Sequence, residues 1–163
     1  MNERFGRTEM IFGAVAMDTL KTCHVAVFGL GGVGGYTVEA LARTGIGQLD
    51  LIDSDTVSLS NLNRQILATY DTIGRDKTEV AAERIRSINP ACRVEVKTCF
   101  YLPETEEQFD FSAYDYVVDA VDTVTAKISL EPHKLYGGRR GPVLYATEYA
   151  MTSAPKQEVA TFY

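Results

Sequence analysis

Short apolar runs alternate along the chain with segments of helical periodicity. The first of these strand-like runs is rich in β-branched and aromatic residues and stops at glycine, as a buried parallel strand does. Four such runs occur, at residues 24–28, 48–53, 93–97 and 114–120. Residues 36–43 and 77–89 place apolar side chains on one helical face, and Pro90 ends the second helix. Strands and helices in this order predict a doubly wound α/β fold with a mainly parallel sheet and flanking helices.

Three further segments have weaker patterns. Residues 4–20 are expected to be helical, and an interruption is expected near Gly13. Their apolar stripe is formed by Phe5, Met10, Ile11, Phe12 and Val15. The acidic stretch at 104–107 suits the start of a solvated helix, and residues 142–147 and 157–163 are expected to form two more strands.

Composition limits the class of protein. A chain of 163 residues that is 45% hydrophobic is long enough for one globular domain with a core. No apolar run approaches the roughly 20 residues that cross a bilayer, so a soluble, cytoplasmic protein is expected. Its three cysteines lack metal-site spacing and are interpreted as ordinary thiols. A net charge of -6 argues against general nucleic-acid affinity, and the basic stretches at 84–97 and 134–140 are interpreted as solvated surface charge.

The most informative motif directly follows the first predicted strand. Residues 29–34 read GLGGVG, which matches G-x-G-x-x-G and opens a helix. Glycines let the backbone approach phosphate oxygens, and the helix N-terminus supplies N–H donors with partial positive charge. Asp53, at the end of the second predicted strand, is suited to accept hydrogen bonds from ribose hydroxyls. The motif predicts a Rossmann-like nucleotide site, although a purely structural glycine turn remains open.

A polar set later in the chain favours ATP over NAD. Its members are Asn61, Asn63, Arg64, Gln65, Lys77 and Asp122. Dehydrogenases hold a pyrophosphate largely through backbone amides, whereas attack on the α-phosphate of ATP develops charge that Arg, Lys and a metal stabilise. Arg64 and Lys77 are therefore expected to contact phosphates, and Asp122 to hold Mg²⁺. An NAD-linked oxidoreductase is the alternative.

Four ordered segments resemble the superfamily of ubiquitin-activating-enzyme-like (ThiF/MoeB/HesA) adenylyltransferases. They are residues 29–34, 53–65, 74–77 and 119–123, and the resemblance covers residues 3–130. It implies ATP and Mg²⁺ as cofactors, with magnesium at Asp122 and catalytic roles for Arg64, Lys77, Asp122 and Arg7. The implied nucleotide-binding residues are Gly29, Gly31, Gly32, Gly34, Asp53, Asn61, Arg64 and Lys77. Arg7 matches an arginine that reaches the neighbouring subunit's ATP site, which implies a homodimer.

Residues 4–9 and 118–127 are most similar to the tRNA threonylcarbamoyladenosine dehydratases of this superfamily. That similarity implies activation of the threonyl carboxylate of the modified tRNA as an acyl adenylate, followed by cyclisation. An internal nucleophile at high effective concentration requires no catalytic cysteine. Sulfur-carrier-protein adenylyltransferases usually have Asp-Asn where this chain has Asp122-Thr123. Such an adenylyltransferase, or a catalytically incomplete nucleotide-binding fragment, is the alternative.

After Leu130 the sequence departs from the family pattern, which would continue the helix and add a large second half. Pro132 interrupts the helix, and the glycine-rich segment 137–142 has loop composition. We therefore expect a truncated or altered protein. Its ATP-binding domain would span residues 1–130, with 131–163 as a divergent remnant of the same domain.

Overall fold

The computed structural model describes residues 4–130. Three predictions concern residues outside this range. They are the strands expected at 142–147 and 157–163, the loop composition of segment 137–142, and the division of the chain at residue 130.

A four-stranded parallel sheet forms the centre of the molecule. Its strands are β1 (His24–Phe28), β2 (Gln48–Ile52), β3 (Arg93–Lys97) and β4 (Tyr116–Asp119). They lie in the order β3-β2-β1-β4, and every neighbouring pair is parallel. Because β1 has β2 on one side and β4 on the other, the chain changes winding direction beside β1. This arrangement confirms the predicted doubly wound fold and places a crevice at the carboxyl ends of the strands.

Helices cover both faces of the sheet. The α-helices are α1 (Gly6–Phe12), α2 (Ala14–Leu20), α3 (Gly32–Thr44), α4 (Lys77–Ile88) and α5 (Val124–Leu130). Short 3₁₀ turns lie at Leu59–Asn61, Tyr70–Thr72, Pro103–Gln108 and Phe111–Ala113. Strands β1, β2 and β4 are mostly buried, and the edge strand β3 exposes Arg93 and Glu95.

Side chains of β1 alternate between two apolar clusters. Val25 and Val27 pack in a cluster with α3 and α4, whereas Ala26 and Phe28 face a cluster that includes α5. Phe28 is fully buried among three aromatic rings, those of Tyr101, Phe109 and Phe111. Alternation along a strand has therefore divided one apolar run between two cores.

The N-terminal helical segment does not pack as its apolar stripe predicts. Gly13 has a φ of 82° and separates α1 from α2, so the residues on either side do not continue one helical face. Phe5 and Met17 are buried, but Met10, Ile11, Phe12 and Val15 have exposed fractions of 57–83%. The interruption at Gly13 is confirmed, and the apolar stripe that it breaks is largely exposed rather than packed against the sheet.

Several predicted boundaries were also wrong. Helix α3 begins at Gly32 rather than residue 36, because the glycines of the motif form its first turn. Strand β4 starts at Tyr116, because Tyr114 caps the 3₁₀ turn Phe111–Ala113; the Tyr114 hydroxyl donates to Asp50 over 3.0 Å. The acidic stretch at 104–107 belongs to a 3₁₀ turn, in which Thr105 Oγ1 accepts the Leu102 N–H over 3.0 Å, and does not begin an α-helix.

Candidate nucleotide-binding site

One pocket lies at the carboxyl edge of the sheet, beside β1, β2 and β4. Predicted site residues contribute to its wall, namely Gly29, Gly31, Asp53, Asn61, Arg64, Gln65, Lys77 and Asp122. These residues come from four separate stretches of the chain. They meet because parallel strands end at the same edge of a sheet.

The glycine turn requires its glycines for two different reasons. Gly29 has a φ of 89°, and a Cβ there would lie 2.5 Å from the Ala120 carbonyl oxygen. Gly34 is buried, and a Cβ there would lie 1.8 Å from the Gly29 carbonyl oxygen. Gly29 therefore allows the turn to run against the end of β4, and Gly34 allows α3 to pack against the turn. Gly34 is required for packing and does not line the pocket.

The N-terminus of α3 opens at this pocket. Gly31 precedes the helix and lines the pocket, and Gly32 is its first residue. The N-cap residue Gly31 has no side chain and makes no side-chain capping hydrogen bond. The first N–H groups of a 13-residue helix therefore face the pocket end with their partial positive charge, which suits phosphate oxygens.

Asp53 links the glycine turn to the loop after β2. Its Oδ2 accepts the Leu30 N–H over 2.6 Å, and its Oδ1 accepts the Asp55 N–H over 2.8 Å. An ionised carboxylate has about four lone-pair positions, so two accepted bonds leave capacity for ribose hydroxyls. Asp53 thus shapes the site in addition to lining it.

Lys77 is the first residue of α4 and is 5% exposed. Its Nζ lies 2.7 Å from Asp55 Oδ2, and its backbone N–H donates to the Asp55 carbonyl over 3.0 Å. A short antiparallel bridge between Thr56 and Asp76 holds the two loops together beside this pair. The local structure therefore fixes a buried ammonium group in the pocket wall.

Asn61, Arg64 and Gln65 come from the 3₁₀ turn after β2. Asn61 is 8% exposed, and its Oδ1 accepts the Ser58 N–H over 3.0 Å, which secures the turn. Arg64 is exposed, and its Nη1 donates to the Ser60 carbonyl and to Asn63 Oδ1, each over 3.1 Å, which leaves three of its five N–H donors. Most guanidinium donors of Arg64 are thus available to an anion. Gln65 is 7% exposed, and its Oε1 is buried without a hydrogen-bond partner among the described residues.

The two carboxylates at the end of β4 differ in their surroundings. Asp119 is 2% exposed, accepts the Val121 N–H over 3.3 Å and lies 3.2 Å from Lys127 Nζ. Asp122 is exposed and lines the pocket, and its Oδ1 accepts the Thr123 hydroxyl over 3.4 Å. Asp119 therefore stabilises the junction between β4 and α5, and Asp122 is the carboxylate that a ligand can reach.

The donor set at this edge fits a magnesium–nucleotide complex. No group of three metal-ligating side chains occurs within residues 4–130. Magnesium is commonly bound through one or two carboxylates together with phosphate oxygens and water, so a complete protein cage is not needed. Asp122, the predicted ligand, lines this pocket together with Asp53 and Asp55.

Arg7 lies on α1, is exposed and does not line the pocket of its own chain. Its predicted role at a neighbouring subunit's site stays a prediction. Gly32 and Gly34, by contrast, are close to the pocket without lining it.

The residues after β3 form a wall of the pocket that the sequence patterns did not indicate. Cys99, Phe100 and Tyr101 line it. Burial raises the pKa of the Cys99 thiol and, as the main cause, that of the Tyr101 hydroxyl, so both stay protonated at neutral pH. The order of the predicted strands could have indicated this wall, because β3 is parallel to β1 and β2 and therefore ends at the same edge of the sheet.

Sequence comparison identifies the family. A model of the ThiF family matches residues 5–147, which extends past Leu130. The chain belongs to the ThiF family. This match confirms the resemblance inferred from the motifs, and its C-terminal limit lies beyond the point where departure from the pattern was expected.

Individual ThiF-family relatives are similar over most of this chain. The tRNA threonylcarbamoyladenosine dehydratase of Escherichia coli is 48% identical over 128 residues, which are 78% of this chain and 48% of the relative. A crystal structure of the E. coli enzyme in complex with ATP has a TM-score of 0.81 at 45% identity and covers 86% of this chain and 57% of that one. The sulfur carrier protein adenylyltransferase of Thermus thermophilus is 31% identical over 84% of this chain and 49% of the relative.

The chain spans about half the length of the curated relatives it matches. Within residues 4–130, none of the helices is long and apolar enough to cross a membrane.

Proposed function

We propose that this chain provides the nucleotide-binding half of an ATP-dependent tRNA threonylcarbamoyladenosine dehydratase. The observation that carries the proposal is that one pocket brings together the glycine turn, Asp53, Arg64, Lys77 and Asp122. The similarity to the E. coli dehydratase, whose structure is known with ATP, supports the substrate class.

The proposed reaction begins with adenylation. An oxygen of the threonyl carboxylate attacks the α-phosphorus of ATP, pyrophosphate leaves, and an acyl adenylate is formed. Arg64 and Lys77, which line the pocket, would stabilise the charge that develops on phosphate oxygens. The N-terminus of α3 would bind phosphates, and Asp53 the ribose.

Cyclisation completes the proposed reaction. A nucleophilic atom of the same modification attacks the activated carbonyl carbon and AMP leaves, so that a ring closes within the modification. Because this nucleophile is already held beside the carbonyl, no enzyme cysteine is needed. Cys99 lines the pocket, but burial raises its pKa and keeps it a poor nucleophile.

Asp122 is the residue proposed to hold Mg²⁺. When bound, the ion would neutralise charge on the phosphates. Asp122 is exposed and within the pocket wall, so its carboxylate can supply an oxygen ligand without a large rearrangement.

A homodimer is part of the proposal. Arg7 lies outside its own pocket and is exposed, which supports a role at the partner's ATP site. Met10, Ile11 and Val15 on the same helix pair are 76–83% exposed, as expected of a surface that is covered in an assembly. The substrate partner is tRNA carrying threonylcarbamoyladenosine, and the proposed compartment is the cytoplasm, where tRNA is modified.

Pyrophosphate release tests the dehydratase function. A full-length form, spanning the length of its relatives, would be incubated with ATP, magnesium and tRNA carrying threonylcarbamoyladenosine. We expect pyrophosphate release that depends on the modification and gives a cyclised product. Release with unmodified tRNA, or none with modified tRNA, would contradict the proposal.

Sulfur-carrier adenylation is the second candidate, because the T. thermophilus relative aligns over most of this chain. Pyrophosphate exchange with a sulfur-carrier C-terminus, but not with modified tRNA, would select it. A nucleotide-binding module without turnover is the third, since the chain spans about half of its relatives. Saturable ATP binding without exchange for any acyl substrate would select that alternative.

A further inference from the structure

The buried ammonium group of Lys77 has a defined counter-ion. The Lys77 side chain is 6% exposed, whereas that of Asp55 is 65% exposed, and Nζ lies 2.7 Å from Asp55 Oδ2. A charge removed from water is costly unless it is paired and hydrogen bonded. Asp55 therefore fixes where the ammonium group of Lys77 lies before any ligand arrives.

Asp55 is itself held on both sides. Its N–H donates to Asp53 Oδ1 over 2.8 Å, and its carbonyl accepts the Lys77 N–H over 3.0 Å. Asp53 in turn accepts the Leu30 N–H over 2.6 Å. A continuous set of hydrogen bonds thus connects the glycine turn to the lysine.

We propose that Asp55 is a positioning residue, which holds the Lys77 ammonium group where nucleotide phosphates bind. This inference rests on the ATP site of the proposed function. An ammonium group has three N–H donors, and Asp55 uses one, which leaves two that can reach phosphate oxygens. Asp55 does not have to leave when ATP arrives.

The opposite role, in which Asp55 competes with phosphate for Lys77, is weaker on this geometry. The Asp55 carboxylate is largely exposed, so water screens its repulsion of the phosphates. The Lys77 side chain is buried, so water cannot replace the Asp55 carboxylate as a partner of the ammonium group if that carboxylate is removed. Placement of the ammonium group should therefore dominate over repulsion.

Titration calorimetry of the Asp55→Asn variant tests the inference. Its side chain loses the charge, while the backbone bonds to Asp53 and Lys77 can remain. We expect affinity for ATP to fall about tenfold and affinity for adenosine, which has no phosphates, to change less than about twofold. Asp55→Glu, which keeps the charge, should restore part of the ATP affinity, and Asp71→Asn, an exposed carboxylate outside the pocket, should change neither.

The decisive comparison repeats the Asp55→Asn substitution in a protein that already carries Lys77→Met. If Asp55 acts through Lys77, Asp55→Asn should change ATP affinity less than about twofold once Lys77 is replaced. An equal loss for ATP and adenosine, tighter ATP binding by Asp55→Asn, or an undiminished loss in the Lys77→Met background would each overturn the inference. A thermal unfolding midpoint measured for every variant identifies a loss caused by misfolding, and Asp55→Glu then carries the test.

The outcome for the proposed function is separate. ATP binding with the expected Asp55 behaviour, but without pyrophosphate release from any acyl substrate, would contradict the dehydratase and leave the positioning role intact. If the unchanged chain bound neither ATP nor adenosine, both would fail.

Discussion

Asp122 is the residue whose carboxylate charge should matter most for turnover. It is exposed at the pocket, directly after β4, and its one short side-chain contact in the described structure is with Thr123. In a full-length form, Asp122→Asn should lower magnesium-dependent pyrophosphate release by about 100-fold or more, on the order of 3 kcal/mol of transition-state stabilisation. The fold should be retained, because exposed substitutions usually change stability within about 0.5 kcal/mol.

The alternative role for Asp122 is structural. Helix α5 begins at Val124, so Asp122 is close enough to its N-terminus to affect the cap, and a cap contributes about 1 kcal/mol. Asn is itself a good capping residue, so Asp122→Asn separates the two roles. Normal adenylation by this variant would show that the charge is not needed and that the metal assignment is wrong.

Gly34 and Gly35 provide a matched pair at the start of α3. A Cβ on Gly34 would lie 1.8 Å from the Gly29 carbonyl, which is backbone, whereas one on Gly35 would lie 3.2 Å from Ile66 Cγ2, a movable side chain. Gly34→Ala should destabilise the protein by about 3 kcal/mol or more and abolish ATP binding. Gly35→Ala should be nearly neutral, because improved helix propensity of roughly 1 kcal/mol offsets the contact.

Chemical denaturation and ATP titration of the two glycine variants check this prediction. If Gly34→Ala and Gly35→Ala were equally stable, the turn at Gly29 would be able to move away from α3, and its close approach to that helix would not be required.

The sequence predicted site residues where a motif fixes the local backbone. The glycine turn, Asp53 and Lys77 each begin or end a regular element, so their approach to one sheet edge follows from the topology. The pairing of Asp55 with Lys77 was not predicted, because it depends on how two loops fold together. The wall at Cys99 to Tyr101 carries no polar signature and was missed for that reason.

Helices α3 and α4 are joined by an ion-pair network at Glu39. Its carboxylate accepts from Arg84 Nε over 2.9 Å and Nη2 over 3.0 Å, and from Arg43 Nε over 2.7 Å. The hydrogen bond from Arg84 is the main cause that holds the pKa of Glu39 below its ordinary value of 4.5. The network should therefore stabilise the packing of the two helices at neutral pH.

The pH dependence of this contribution has a definite sign. A carboxylate whose pKa is lowered by folding stabilises the protein above its unfolded pKa, and that stabilisation is lost as pH falls through the folded pKa. Glu39→Gln should cost about 0.5–1 kcal/mol at pH 7, because Arg84 is half exposed and solvent screens the pair. The difference from the unchanged protein should shrink as pH is lowered past 4.5.

Urea unfolding of both proteins from pH 7 to pH 3 measures this difference. Glu83→Gln removes the carboxylate that pairs with Arg75 at the surface, and should have a smaller effect at pH 7. A Glu39→Gln difference that stayed constant with pH would contradict an electrostatic origin.

At the level of elements, strands were predicted better than helical segments. Strands β1, β2 and β4 are mostly buried, so their apolar runs fix their positions, whereas β3 exposes Arg93 and Glu95 and buries its valines only in part. Apolar composition did not predict burial in the N-terminal helices, because the positive φ at Gly13 separates two short helices and the apolar residues beside it are exposed. Periodicity predicts a face of a helix, but not whether another surface covers it.

At the scale of the whole molecule, the proposed ATP site is built from residues of this chain that meet at one edge of the sheet. The chain spans about half the length of its curated relatives, and the proposed dimer would add Arg7 from a neighbour. No sequence pattern within the chain shows which copy receives that residue. The position of Arg7 favours the pocket of the neighbouring copy, because Arg7 is exposed on α1 and does not line the pocket of its own chain.

Complementation between two defective variants tests whether Arg7 acts across the dimer. In a full-length form, Arg7→Ala and Lys77→Met should each be nearly inactive in pyrophosphate release. In a mixed dimer, one pocket receives Lys77 from the Arg7→Ala chain and Arg7 from the Lys77→Met chain, and is therefore complete. Random mixing of symmetric dimers should recover about a quarter of the unchanged activity, since half of the dimers are mixed and each has one complete pocket. The chain carrying both substitutions should recover nothing when mixed with either single variant, beyond the residual activity of that variant. If Arg7→Ala alone is fully active, or if mixing the single variants restores no activity although mixed dimers form, Arg7 does not serve the partner's site.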